Sequence, residues 1–172
     1  DRIDGFIFVL PIDLLFQHLT RGENSLLLYQ QFLTWILYVI QSSLGIEVYI
    51  RGENSTILSY ADIIDMEIVA ECSGLHETVF LSLLVLCFRG VKPMVRAKWA
   101  IYAAIFIFVE NLIRILSGYY LINIYDFSTW DKFHYFWWHT GQYALIMGVF
   151  VLWVMTIAGM PENKSVKKNF IR

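Results

Sequence analysis

Residues 99–116 read WAIYAAIFIFVENLIRIL, with Glu110 and Arg114 as the two charged positions. Crossing a hydrocarbon core about 30 Å thick takes roughly 20 mostly apolar residues, so this stretch predicts a transmembrane helix. The rest of the chain agrees. Its 172 residues are 58% hydrophobic and 16% charged, more apolar and less charged than a soluble domain. Three further stretches, 25–44, 74–88 and 139–158, read as spans on the same criterion. A fifth, 3–19, carries Pro11, Asp13 and His18 and reads either as a polar-lined span packed inside a bundle, as which it is counted, or as a shallow segment. No basic start and no small-residue cleavage site mark it as a signal peptide.

Lysine and arginine collect on the cytoplasmic side of a membrane protein. The turn at Arg21, the loop 89–98 and the tail 159–172 together hold nine of the 13 basic residues, against Arg2, Arg51 and Lys132 elsewhere outside the spans. This predicts five crossings of one membrane-embedded domain (1–172), multi-pass in the plasma membrane, with a cytoplasmic loop 89–98 and a cytoplasmic tail 159–172. The outer loop 45–73 alternates apolar and polar residues from Ile46 to Arg51, turns at Gly52-Glu53-Asn54-Ser55 and resumes at Thr56, the pattern of a small extracytoplasmic β-hairpin. The expected fold is thus an all-α polytopic membrane protein of about five transmembrane helices with that hairpin. A net charge of −2 excludes a nucleic-acid partner, and two cysteines, Cys72 and Cys87, exclude a disulfide scaffold.

Ionisable groups inside spans are expensive and are paired or functional. Counted from the cytoplasmic ends at about 1.5 Å per residue, Cys72 (from Phe88) and Arg114 (from Lys98) both stand roughly 24 Å up, and His139 (from Ile157) roughly 27 Å, whereas His134 stands near 35 Å. A thiol, a guanidinium and an imidazole at one level are the parts of nucleophilic acyl transfer. Cys72 would attack, His139 would carry the proton, and Arg114 would donate to the oxyanion. Each has a plainer reading. A lone cysteine fills space in most membrane helices, as Cys87 does in this reading; Glu110 lies four residues before Arg114, as an ion pair would; the aromatic run from Trp130 to Trp138 reads as an interface belt. Asn111, three residues before Arg114, is placed to hold it. His76, four residues after Cys72, is a rival base, and Glu77 a bridge between helices. His76-Glu77 opens like a zinc-protease H-E-x-x-H, but Phe80 stands where the second histidine belongs. No metal and no cofactor is expected.

Ala70-Glu71-Cys72-Ser73-Gly74-Leu75 at the start of one span, Asn111-Leu112-Ile113-Arg114-Ile115 near the outer end of the next, and a histidine at the head of the last together resemble the exosortase/archaeosortase family, over about 67–154. The resemblance implies a polytopic membrane cysteine transpeptidase, sortase-like in chemistry and not in fold. Its substrates are exported proteins with a carboxy-terminal motif, a transmembrane helix and a basic tail, cut at the outer interface and, in archaea, joined to a membrane lipid. It implies Cys72 as nucleophile and Arg114 as catalytic arginine. Family histidines often stand as F-H with glycine four residues on; here Phe133-His134 is followed by Trp138, while His139 precedes Gly141 by two. Two histidines therefore compete, and depth favours His139. A second reading is a transporter or proton relay lined by Asp13, Glu77, Glu110, Arg114 and the histidines; a third is a non-catalytic subunit whose polar groups glue helices.

Overall fold

The computed structural model describes residues 7–20, 25–61 and 64–158; Arg2, Arg21, the start of the 3–19 stretch and the tail 159–172 lie outside them. In chain order the elements are α1 (Val9–Thr20), α2 (Leu27–Ser43), β1 (Val48–Arg51), β2 (Ile57–Tyr60), β3 (Ile64–Glu67), α3 (Leu75–Cys87), α4 (Pro93–Ile124), α5 (Phe127–Phe136) and α6 (Gln142–Trp153). A 3-10 turn, Ala70–Cys72, precedes α3, and π-helical turns, Trp137–Gly141 and Val154–Ala158, flank α6.

The structure is mostly helical, and among the described residues two helices are long and apolar enough to cross a membrane: Pro93–Ile124 and the continuous run Phe127–Ile157. Pro93 starts α4 at a position where its missing N–H costs nothing. At 32 residues, α4 is about 48 Å long, well beyond the hydrocarbon core. It presents Ile101, Ile105, Val109 and Ile113, one residue per turn, as an exposed apolar stripe, the face a lipid-contacting helix needs. The α3 helix, shorter than the expected 74–88 span, packs along α4 through Leu81, Leu84, Ala103 and Ile107. Arg96 holds its end by donating to the carbonyls of Leu86 and Phe88.

Three sequence expectations change. The outer hairpin is a three-stranded antiparallel meander, β1-β2-β3, in which Ile57 pairs Glu67 and Tyr60 pairs Ile64. The 25–44 stretch forms α2, whose Leu33 and Leu37 pack on Val48, Leu58, Tyr60 and Ile68 of the sheet region and on Ile115 of α4. Gln30 donates to the Ile68 carbonyl (3.1 Å), and the Tyr60 hydroxyl donates to Gln41 (2.9 Å). Hydrocarbon offers those amides no partners; the sheet does, so α2 serves as its backing. Finally, α1 is 12 residues long, about 18 Å, and runs opposite to the expected direction. Val9 packs beside Leu81 and Leu84, while Thr20 shares a 2.8 Å hydrogen bond with His76 at the first turn of α3. The carboxy end of α1 therefore lies at the Cys72 end of the bundle, away from the α3–α4 connection, whereas the charge count had placed it on the side of the basic loop 89–98.

Candidate functional site

Cys72 closes its 3-10 turn with its N–H on the Val69 carbonyl (3.0 Å). Ser73 folds its hydroxyl back onto the Ala70 carbonyl (2.6 Å). Gly74 then enters the left-handed region at φ 74°, which a side chain would resist, and α3 begins. That kink breaks helical phase between Cys72 and His76, so the two do not share a face as unbroken spacing implied. His76 instead turns to α1: besides its bond to Thr20, its ring meets Phe16 edge-on at 5.4 Å.

The next helix clamps this turn. Asn111 Nδ2 donates to the Ser73 carbonyl (2.9 Å). Arg114 Nη2 donates to Asn111 Oδ1 (2.6 Å) and to the Cys72 carbonyl (3.1 Å). The N-x-x-R spacing sets both side chains on one face of α4, one turn apart. A Cβ at Gly74 would stand 2.9 Å from Asn111 Cγ, so the glycine also makes room for the amide. Arg114 is 8% exposed, and its Nη1 has no hydrogen-bond partner among the described residues. The expected Glu110–Arg114 ion pair is not formed. Glu110 accepts from Trp137 Nε1 (2.9 Å) and from Gln142 Nε2 (3.2 Å), tying α4 to the last helix.

After α4, Asp126 caps α5 by accepting from the Thr129 N–H (2.6 Å), and α5 descends antiparallel along α4. Trp130 covers Gly118, where a Cβ would stand 2.6 Å from Nε1; further down, Trp137 reaches Glu110. Between those contacts the register brings His134 to the level of Arg114. Its ring stacks on Trp130 with centroids 5.0 Å apart.

Cys72, Arg114 and His134 line one cavity of about 310 Å³, walled by β3 on one side and by Ile115, Ile122 and Phe127 on others. Burial pushes the Cys72 thiol above its ordinary pKa; the Arg114 cation pulls it back, and the Glu71 and Glu77 carboxylates push it up further.

His139 lies outside this cavity. It is exposed, its Nδ1 is 3.0 Å from the Tyr135 carbonyl, and it borders a separate cleft with Gln17, Glu71, His76 and Glu77. The depth count took Lys98 as the foot of α4. The helix starts at Pro93, which raises Arg114 to roughly 32 Å, about 3 Å short of the count for His134 and about 5 Å above that for His139. Among the described residues, no group of three or more His, Cys, Asp or Glu converges as a metal site. Gly118 and the whole of β3 join the cavity without having been singled out by sequence, and Trp130, read there as part of an interface belt, joins it too; the signal for β3 was the alternation Ile64-Asp65-Met66-Glu67.

Compared with known proteins, residues 5–158 match the family described as transmembrane exosortase. No curated protein and no solved structure matches the chain.

Proposed function

The chain belongs to the transmembrane exosortase family, a family of membrane transpeptidases, and from that premise we propose that it cleaves the carboxy-terminal sorting signals of exported proteins at the outer membrane interface. In this reading the cleavage is coupled to transfer of the protein to a membrane lipid. The observation that carries it is the single cavity shared by Cys72, Arg114 and His134, with one guanidinium nitrogen of Arg114 buried and unpartnered.

The roles follow from the chemistry of the three groups. His134 takes the thiol proton, and Cys72 Sγ bonds to the scissile carbonyl carbon. Arg114 Nη1 donates to the oxygen as it becomes negative, a role that its fixed charge suits. The Asn111 bond and the Cys72 carbonyl hold Nη2, so the cation is oriented before substrate arrives. When the carbon–nitrogen bond breaks, the imidazolium gives its proton to the leaving amine, and a thioester remains on Cys72. An acceptor bearing O–H or N–H then attacks the thioester, its proton returning through the imidazole while the thiol is regenerated. His134 takes the role that depth alone had given to His139, because it shares the cavity with the other two.

The test uses the full chain in membranes with a substrate bearing motif, transmembrane helix and basic tail. Wild type should release the tail and form a thiol-sensitive substrate adduct; Cys72→Ala should do neither. His134→Ala should lose about 10²–10⁴-fold in rate, and His139→Ala little. Unchanged processing in a folded Cys72→Ala protein would sink the proposal and turn attention to the transporter reading, for which Glu110→Gln is the sensitive variant.

A further inference from the structure

Ile64, Asp65, Met66, Glu67 and Ile68 all line the Cys72 cavity. Side chains of a strand alternate between its two faces, so a cavity that lay against one face would meet every second residue. Contact with five in a row means that the cavity meets the edge of β3.

That edge is unpaired. The sheet order is β1-β2-β3, and β3 pairs with β2 over its full length. In an antiparallel ladder every second residue turns its N–H and C=O away from its neighbour. Among the described residues, no backbone group outside β2 bonds to residues 64–67. Open edges are normally blunted or covered because they recruit other strands. Here α5 overhangs the edge through Phe127 and Trp130, which line the same cavity.

We propose that β3 docks the substrate as a fourth strand, so that main-chain hydrogen bonds to the β3 edge lay an extended peptide across the cavity and bring its scissile carbonyl to Cys72. This deepens the protease reading of the site and rests on it. The mode is β-strand addition, in which backbone bonds supply affinity and alternate side-chain pockets supply selectivity. Four residues of β3 span about 13 Å, enough to fix the direction and register of a short peptide. Cys72 follows the strand by only five positions. Ile64 and Met66 pack inward on the sheet's core cluster, and Ile115, Ile122 and Phe127 continue that apolar wall into the cavity. Alternate substrate residues on that side should therefore be apolar, while those between them face the exposed Asp65 and Glu67.

The experiment uses a peptide spanning the bond that the wild-type enzyme cuts, and a set in which one backbone amide at a time is N-methylated. Each is measured as a competitor of the parent peptide. Methylation should weaken binding by about tenfold at every second position, the cost of one lost hydrogen bond and its steric block, and leave the positions between nearly unchanged. Infrared spectra of a carbonyl-labelled parent peptide on Cys72→Ala protein should show its amide band moved to the β-sheet range. A scan without alternation, or a band left at its free position, overturns strand docking. If wild type cuts no substrate bearing motif, transmembrane helix and basic tail, or Cys72→Ala cuts it equally, the protease reading itself has failed; if cleavage needs Cys72 and the alternation is absent, only the docking has.

Discussion

Replacing Gly74 by alanine tests how the Cys72 turn is held. The substitution forces a side chain into φ 74°, a strain of about 1–2 kcal/mol. It also sets a methyl carbon 2.9 Å from Cγ, 3.0 Å from Cβ and 3.1 Å from Nδ2 of Asn111. The amide is the movable partner, and moving it breaks its bond to the Ser73 carbonyl, worth about 1 kcal/mol, and its charged bond from Arg114, worth about 1.5–3 kcal/mol. Gly74→Ala alone should therefore cost the strain and the amide's bonds together. Asn111→Ala alone should cost only the bonds. In the double variant the bonds are already lost and the contacts with Cγ and Nδ2 are gone, leaving only the 3.0 Å approach to Cβ, so it should be no less stable than Gly74→Ala. The cycle should show a coupling of about 2.5–4 kcal/mol, the bonds that both single variants lose, where independent sites add to within about 0.3–0.5 kcal/mol. Unfolding of the full chain in neutral detergent micelles reads the stabilities, and tail cleavage in membranes reads the function, which should fall together in both single variants. Additive losses would refute the argument, because they would mean that Asn111 does not rest on the glycine.

Two further outcomes follow from the same geometry. Arg114→Lys keeps a charge but cannot hold Cys72, Asn111 and the developing oxyanion at once, so kcat for cleavage should fall about 10²–10³-fold with KM little moved; an unchanged kcat would remove Arg114 from the oxyanion role. Burial disfavours the charged thiolate, so alkylation of Cys72 by iodoacetamide should rise with pH to a midpoint above the ordinary 9.0. Glu71→Gln, which removes a like charge, should lower that midpoint, and Arg114→Gln, which removes the opposing cation, should raise it; shifts in the other direction would contradict the electrostatics of the turn.

The sequence carried the Cys72 and Arg114 positions because each depends on local spacing. The glycine after Cys-Ser marks a backbone that only glycine adopts easily, and Asn111 precedes Arg114 by the three residues that stack side chains on a helix. Which histidine shares their cavity was harder to read, since the level of Arg114 depends on where α4 begins, and Pro93 lies five residues below the last lysine that marked the loop. The backing role of α2 was written in Gln30, Thr34 and Gln41, a buried polar face masked by the apolar residues around it. The direction of α1 could not be read from charge because one arginine stands on each side of the stretch, Arg2 and Arg21. It rests on long-range contacts, Thr20 with His76 and Val9 with Leu81, which have no local signature.

The pairing of α3 with α4 across the short connection at 88–92 also sets an order of assembly. Chains are made from the amino end and their domains fold as they emerge. Everything that joins Cys72 to Arg114 lies in a helical hairpin complete by Ser117, and that hairpin can close while the following residues are still being synthesised. His134 arrives later, on the segment that folds back down α4. On that order, the newborn protein would hold its thiol and its cation together before the remaining wall of the cavity is in place. The cavity is complete only when α5 lies along α4, with Trp130 on Gly118 and Trp137 on Glu110; under the proposed mechanism, the docking of α5 would then be the step that arms the protein.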